Sequence, residues 1–421
     1  MEITIEKKYL VFPVNTNAKN KQVSFRENGK TVYELNLKLD LTAPDFYAYL
    51  DMNRYRGKKL EMSVEPQMEV SFRQEETMEI PDLYREPLRP QIHFSPKNGW
   101  LNDPNGLIYL DGSYHMFFQY NPAGNNWDNM HWGHAVSKDL IHWEEKDIAL
   151  FIEGDVNAFS GSAVWDQKNL LSPDEGAKAA LLFYTATTHP FTQRLAYSTD
   201  GFQTIREYEG NPILPHLEGG NRDPKVVYCG ERGEYIMALY FIWNDYGLFS
   251  SKDLVHWELF QRITFPEESE CPDLFPICDK EGVRKWVFMG ANDHYLVGEF
   301  REGKFVPVQE AERLHYGSAA YAGQTFSNLP EGRVVRICWD RWYSKATKFN
   351  GQMGIPMELT LEIEEGRHYL CAEPVKELKS LSVKETVLEE FTIHAGEEKK
   401  IHLQDRAYIL EISGTYEEDT V

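Results

Sequence analysis

Ser137-Lys138-Asp139-Leu140-Ile141-His142-Trp143-Glu144 returns, almost unchanged, as Ser251-Lys252-Asp253-Leu254-Val255-His256-Trp257-Glu258. A weaker copy, Tyr197-Ser198-Thr199-Asp200-Gly201-Phe202, stands between the two. The three serines are 61 and 53 residues apart. Repeats of that length, each filled with short β-type runs, match the blades of a propeller rather than a solenoid. A sandwich or barrel gives no reason for the motif to recur. Residues 91–372 show almost no amphipathic helical pattern and have room for about five such units, within the roughly four to eight blades usual for propellers. The expectation is an all-β chain built around a five-bladed β-propeller.

Outside this region the chain divides further, as its length of 421 residues suggests. Residues 1–75 carry β-type runs at 9–12, 22–26, 32–39, 46–50 and 60–64, with Asn28-Gly29-Lys30 as a turn. They predict a small N-terminal β-sandwich-like module, a structural prop without a cluster of catalytic side chains. Residues 76–90, acidic and then proline-bearing, read as a linker. Residues 373–421 hold three further runs, at 387–391, 400–403 and 408–412, which predict the start of a C-terminal β-sandwich.

Composition limits the partners. A net charge of −22 argues against nucleic acid and anionic membrane surfaces, both of which need a basic face. Five scattered cysteines without metal-ligand spacing read as reduced thiols, not as a disulfide framework or a metal site. No apolar run approaches the roughly 20 residues that span a bilayer. The first residues lack the apolar core of a signal peptide. That leaves a cytoplasmic protein or a secreted or cell-surface one whose leader has been removed. Oligomeric state is left open.

Three acidic motifs lie in the predicted propeller, each beside a proline: Asn102-Asp103-Pro104, Arg222-Asp223-Pro224 and Glu270-Cys271-Pro272-Asp273. Singly, each reads as a turn; Asp103 is expected in a loop, with Leu107–Leu110 as the first strand of a hairpin. Together they are better read as chemistry, because loops from different blades converge at one end of a propeller. Glycoside cleavage needs one ionised carboxylate to attack the anomeric carbon and one protonated carboxyl to supply the leaving oxygen. A third carboxylate beside an arginine suits hydrogen bonding to substrate hydroxyls, with Arg222 keeping Asp223 ionised. Glu270 is expected to have a raised pKa and Asp103 to stay ionised through hydrogen bonds.

The segment 93–106, HFSPKNGWLNDPNG, with Phe117-Phe118-Gln119-Tyr120-Asn121-Pro122, Phe159-Ser160-Gly161-Ser162, Arg222-Asp223-Pro224 and 270–276, resembles glycoside hydrolase family 32. That family contains invertases, levanases, inulinases and sucrose-6-phosphate hydrolases. The resemblance implies a five-bladed propeller followed by a β-sandwich. It also implies retaining hydrolysis of β-fructofuranosides, with no cofactor and no metal. Carried over by position, Asp103 matches the nucleophile, Glu270 the general acid/base and Asp223 the transition-state stabiliser. Asn102, Gln119, Trp127, Phe159, Ser160, Arg222, Tyr321 and Trp339 match positions of the sugar pocket. The implied partner is a fructose-containing oligo- or polysaccharide such as levan, inulin or sucrose. Fructosyl transfer through the same covalent intermediate, or non-catalytic fructan binding, are the alternatives. The chain departs from the family pattern at His315, Asp340 and Met357, all outside the acid triad, which bears on substrate preference and packing. The N-terminal module is reminiscent of bacterial fructan-degrading members.

Overall fold

The structure, a computed structural model, describes residues 1–171, 178–343, 348–402 and 407–415. Helix is confined, among the described residues, to three short 3-10 turns, at Asn53–Tyr55, Pro330–Gly332 and Lys376–Leu381. The alternating patterns read from the sequence fold as strands. Lys59–Glu65, for example, buries Leu60, Met62 and Val64, while Glu61 is exposed and Ser63 half-buried.

Residues 1–75 build two sheets. One orders Glu2–Thr4, Lys59–Glu65, Lys21–Glu27 and Lys30–Leu37; the other orders Phe46–Asp51, Tyr9–Val14 and Arg73–Glu75. Their inward faces share one apolar cluster, with Phe12, Val23, Phe25, Leu37 and Leu50 fully buried. The segment that follows, read as a linker, is pinned rather than loose. Tyr49 donates its hydroxyl to Glu79 O at 2.8 Å, and the buried Arg89 donates to Pro96 O at 2.6 Å while lying over the Phe349 ring.

Five antiparallel sheets follow, one per blade. Their innermost strands are Gly99–Leu110, Ala158–Trp165, Arg222–Cys229, Asp273–Cys278 and Ala320–Thr325. Each touches the next, and the fifth touches the first, so the ring closes. Closure is reinforced by Phe349–Asn350, which leaves the fifth-blade segment to pair in parallel with Gly99–Leu110. Blade five ends with Arg367–Pro374, two residues beyond the expected boundary.

The recurring motif is the turn between the third and fourth strands of blades one and three. Asp139 accepts from the amides of Ile141 and His142 at 3.0 and 2.8 Å, and Asp253 does the same for Val255 and His256 at 3.1 and 2.8 Å. Leu140 and Leu254 take left-handed φ values of 67° and 70° and bury their side chains completely. The indoles of Trp143 and Trp257 donate back to the carbonyls of those leucines. The motif recurs because this turn is built from its own side chains.

The expected start of a C-terminal β-sandwich is not formed. Described residues beyond Pro374 contain the one 3-10 turn and no strand, and Val387, Leu388, Phe391 and Ile412 are exposed. A strand needs a hydrogen-bonded neighbour and a covered apolar face. These runs find neither. Leu403, at the end of the second run, lies outside the described residues.

Candidate active site

Two of the three acidic motifs lie in strands, and the third, at Glu270, keeps the expected place in a connection. Asp103 lies inside the strand Gly99–Leu110, and Asp223 inside Arg222–Cys229. Their turn-forming residues produce β-bulges, because the neighbouring strand continues to pair on both sides of each motif. Register breaks fall between Leu101 and Pro104, Phe159 and Gly161, Arg222 and Lys225, and Tyr321 and Gln324. In blade four the irregularity precedes the strand, where Glu270 and Cys271 have φ of 56° and 36°. All five innermost strands are therefore irregular at, or just before, their N-terminal ends. Asp223, at φ 65°, and Ala322, at φ 51°, are left-handed non-glycine residues at these points, a conformation that costs about 1–3 kcal/mol and is retained where the surroundings enforce it. Gly161 permits the second-blade bulge, since a Cβ there would lie 1.9 Å from Phe183 O.

The bulges bring three carboxyl groups into one cleft. Ser160 donates its hydroxyl to Asp103 Oδ2 at 2.7 Å. The backbone amide of Cys271 donates to Asp223 Oδ2 at 3.1 Å, and the Cys271 thiol lies 3.6 Å from Asp103 Oδ2 and 3.5 Å from Asp223 Oδ2. Asp223 is held from behind by its own amide, which donates to Thr185 Oγ1 at 3.0 Å. Arg222 donates to Glu270 Oε1, lies 3.7 Å from Asp223 Oδ2, and is anchored on Gly220 O at 2.7 Å and over the Tyr240 ring. Tyr321 donates its hydroxyl to Glu270 Oε2 at 2.6 Å.

These contacts reverse two electrostatic expectations. Burial pushes Glu270 up, but the Tyr321 hydroxyl and the Arg222 charge outweigh it and leave its pKa below the ordinary value. These two partners favour the charged form of Glu270. Asp223 is pushed up to about 7, chiefly by burial and further by the charges of Glu270 and Asp103, which together exceed the opposing pull of Arg222. Asp103 is also raised by burial, against the hydrogen bonds from Ser160 and Asn102. The guanidinium of Arg222 acts on both carboxyls, lying 3.7 Å from Asp223 Oδ2 and bonding directly to Glu270.

The cleft has a volume of about 380 Å³. Asn102, Asp103, Gln119, Trp127, Phe159, Ser160, Arg222, Asp223, Glu270, Tyr321 and Trp339, every site position expected from the sequence, line it. Asn102 is oriented by the Trp100 indole, which donates to its Oδ1 at 2.8 Å, and Gln119 by its own donation to Ala158 O at 2.9 Å. Trp339 meets Tyr321 edge-on at 6.2 Å, and Trp127, 55% exposed, meets Phe159 edge-on at 5.9 Å. Two lining residues were missed: Cys271 and Phe191. Cys271 was in view beside Glu270, but its type alone suggested only a reduced thiol. Phe191 follows His189-Pro190 in an inter-strand connection and carries no sequence signal. The set combines carboxyl groups of different charge state with aromatic walls and amide groups, as glycoside cleavage requires.

Comparison with known proteins places this architecture. The profile described as "Glycosyl hydrolases family 32 N-terminal domain" matches residues 93–374. A levanase of Bacillus subtilis is 34% identical over 329 residues, covering 71% of this chain and 48% of that protein. A fructan β-fructosidase of Streptococcus mutans is 32% identical over 72% of this chain but only 23% of its own length. The chain therefore spans less than half of these bacterial relatives. An extracellular exo-inulinase of Aspergillus awamori is 31% identical, with 72% of this chain and 68% of that protein covered. Among solved structures, the A. awamori exo-inulinase superposes with a TM-score of 0.67 at 29% identity, covering 72% of this chain and 70% of that one. A fructofuranosidase of Schwanniomyces occidentalis, complexed with fructose, gives 0.64 at 30% identity, covering 68% and 63%. A propeller closed by five blades, with its acidic bulges in a common cleft and a family profile running through all five, identifies the chain as a member of glycosyl hydrolase family 32.

Proposed function

We propose that this chain cleaves β-fructofuranosidic bonds in levan, inulin or sucrose, with retention and through a covalent fructosyl-enzyme intermediate. The observation that carries the reading is the convergence of Asp103, Asp223 and Glu270, from three different blades, on one cleft walled by Trp127, Phe159 and Trp339. Relatives named levanase, exo-inulinase and invertase support the substrate class. In this reading an Asp103 oxygen attacks the anomeric carbon while Glu270 gives its proton to the departing glycosidic oxygen. Water, deprotonated by Glu270, then attacks the same carbon, displaces Asp103 and restores both groups.

The electrostatics of the three carboxyls add a requirement. Near neutral pH the cleft holds a proton more readily on Asp223 than on Glu270. Fructose hydroxyls donating to Asp223 favour its ionised form, and substrate groups that draw Arg222 away from Glu270 favour protonation there. Substrate binding then moves one proton between the two carboxyls, and the set titrates as a unit.

The test is product analysis on levan, inulin and sucrose, with the anomer of the first fructose released followed by NMR. Early appearance of the β-anomer is the expected result. Early appearance of the α-anomer would overturn retention, and absence of cleavage on all three substrates would overturn the activity. Chain-lengthened products in place of free fructose would identify a fructosyltransferase.

A further inference from the structure

Trp127 stands on the segment 122–130, which joins the second and third strands of blade one. The propeller anchors the backbone of this segment at Asn121, which accepts from Ala123 N at 2.9 Å and donates to Asn126 O at 2.8 Å, and at Asn350, which donates to Asn125 O at 2.9 Å, while the ring partner of Trp127, Phe159, belongs to blade two. The two residues that follow the tryptophan are held from a second side, by the N-terminal module, which lies outside the region matched by the family profile.

Lys30–Leu37 is the edge strand of the module's four-stranded sheet, with Lys21–Glu27 as its one neighbour. An open edge presents unpaired backbone groups. Here the propeller takes them up. Glu34 N donates to Gly154 O at 2.8 Å, and Gly154 N donates to Val32 O at 3.2 Å. Further along the edge, a side chain replaces the missing strand. Asn129 Oδ1 accepts from Asn36 N at 2.8 Å, and Asn129 Nδ2 donates to Asn36 O at 2.8 Å. The Asn36 side chain in turn donates to both oxygens of Asp128, at 3.2 and 3.3 Å, and Asn20 Nδ2 reaches Asp128 Oδ2 at 3.3 Å.

Asp128 directly follows Trp127. Beneath it, His131 donates from Nδ1 to Asn129 O at 2.6 Å, so its Nε2 accepts from the buried Tyr33 hydroxyl at 2.9 Å. Ala123, from the same segment, packs into the module's apolar core. The loop is therefore held from the module side at its start, at its end and immediately after the tryptophan.

We infer that Asn36 is a positioning residue for Trp127, and that the N-terminal module clamps the 122–130 loop and so sets the affinity of the cleft for its sugar. This rests on the β-fructoside reading above. Fixing the loop during folding removes an ordering cost that an unclamped loop would meet each time substrate binds. The effect is on binding, because Trp127 forms a wall and none of the reacting carboxyls contacts the module.

The experiment compares Asn36→Ala with wild type by hydrogen exchange over residues 122–130 and by steady-state kinetics on an oligofructan. Faster exchange in that segment is expected, with KM raised by about threefold to tenfold, as for loss of one or two hydrogen bonds, and kcat retained. In a Trp127→Ala background, Asn36→Ala should raise KM no further, since its effect passes through the ring. Lys8→Gln, which breaks a module–propeller ion pair with Asp147, should leave exchange in the loop and KM as in wild type. If Asn36→Ala does not fold, Asp128→Ala severs the same link from the propeller side. Unchanged exchange, unchanged KM, or an equal rise in KM without Trp127 would each overturn the inference. Failure of wild type to cleave any β-fructoside would instead overturn the functional reading, and the exchange comparison would still decide whether the clamp exists.

Discussion

Tyr321 donates its hydroxyl to Oε2 of Glu270 at 2.6 Å, joining blade five to the carboxyl that opens blade four. This bond stabilises the charged form of Glu270 and lowers its pKa. Tyr321→Phe removes the donor and leaves the ring, so the pKa of Glu270 should rise. With Glu270 as the acid, the coupled carboxyls must keep one proton between them, and activity is lost as pH rises through the pKa at which the set gives it up, which a higher proton affinity at Glu270 raises. The alkaline limb of the kcat/KM profile should then move to higher pH in the variant. A limb that stays in place, or moves to lower pH, would separate Tyr321 from the acid.

The roles of Asp103 and Glu270 part company when the leaving group is varied. Asp103→Ala removes the attacking oxygen, and kcat should fall by more than about 10³-fold on every substrate. Glu270→Ala should cost roughly 10²- to 10⁴-fold on sucrose or inulin, the usual worth of general acid catalysis. On a nitrophenyl β-fructofuranoside, whose leaving group departs without a proton, the cleavage step should be largely spared. Equal losses on both kinds of substrate would remove Glu270 from the acid role.

The sequence made the fold legible wherever a feature was built from neighbouring residues. The repeated turn announced blades one to three because the carboxylates of Asp139, Asp200 and Asp253 hold their turns by accepting from backbone amides three or four positions on. Blades four and five make the equivalent connection with Glu302-Gly303 and Glu365-Gly366, all four at positive φ, so no copy of the motif exists there to be read. The cleft residues were legible through their motifs. Their charge states were not, because Glu270 is governed by Arg222 and Tyr321, 48 and 51 positions distant. The strands expected within residues 373–421 failed for a related reason: alternation marks a face that could be buried, and pairing decides whether it is.

The turn itself can be tested for stability. Asp253 binds two backbone amides and the His256 ring, and these bonds hold its carboxyl down at about 2 despite partial burial. Asp253→Ala leaves the amides without their local acceptor and should destabilise the protein by about 1–2 kcal/mol in urea unfolding. Asp139→Ala should cost a similar amount, since its bonds are the same. Unfolding midpoints matching wild type in both variants would show the turn to be held by Leu140, Leu254 and the tryptophans alone.

Asp223 couples the cleft to stability with a definite sign. Its folded pKa, about 7, lies above the ordinary 3.8, so the native state binds this proton more tightly than the unfolded chain. The stability it contributes is fully present below about pH 4 and is lost as pH rises through about 7. Asparagine at this position stays neutral throughout, and its Oδ1 can still accept from the Cys271 amide. The stability of Asp223→Asn relative to wild type should therefore increase from pH 4 to pH 8, read as the difference between their urea midpoints at each pH. The difference is needed because Glu145 and Glu207 are also pushed up to about 7 by burial and tilt the wild-type curve the same way. Both remain in the variant and cancel. Arg222 keeps Glu270 as its partner, so the substitution does not strand a buried charge. A flat difference would mean that Asp223 is ionised in the folded protein well below neutrality, and a decreasing one that Arg222 stabilises it more than burial opposes it. Either result would take the resting proton off Asp223, and substrate binding would then have to draw the acid's proton from solvent.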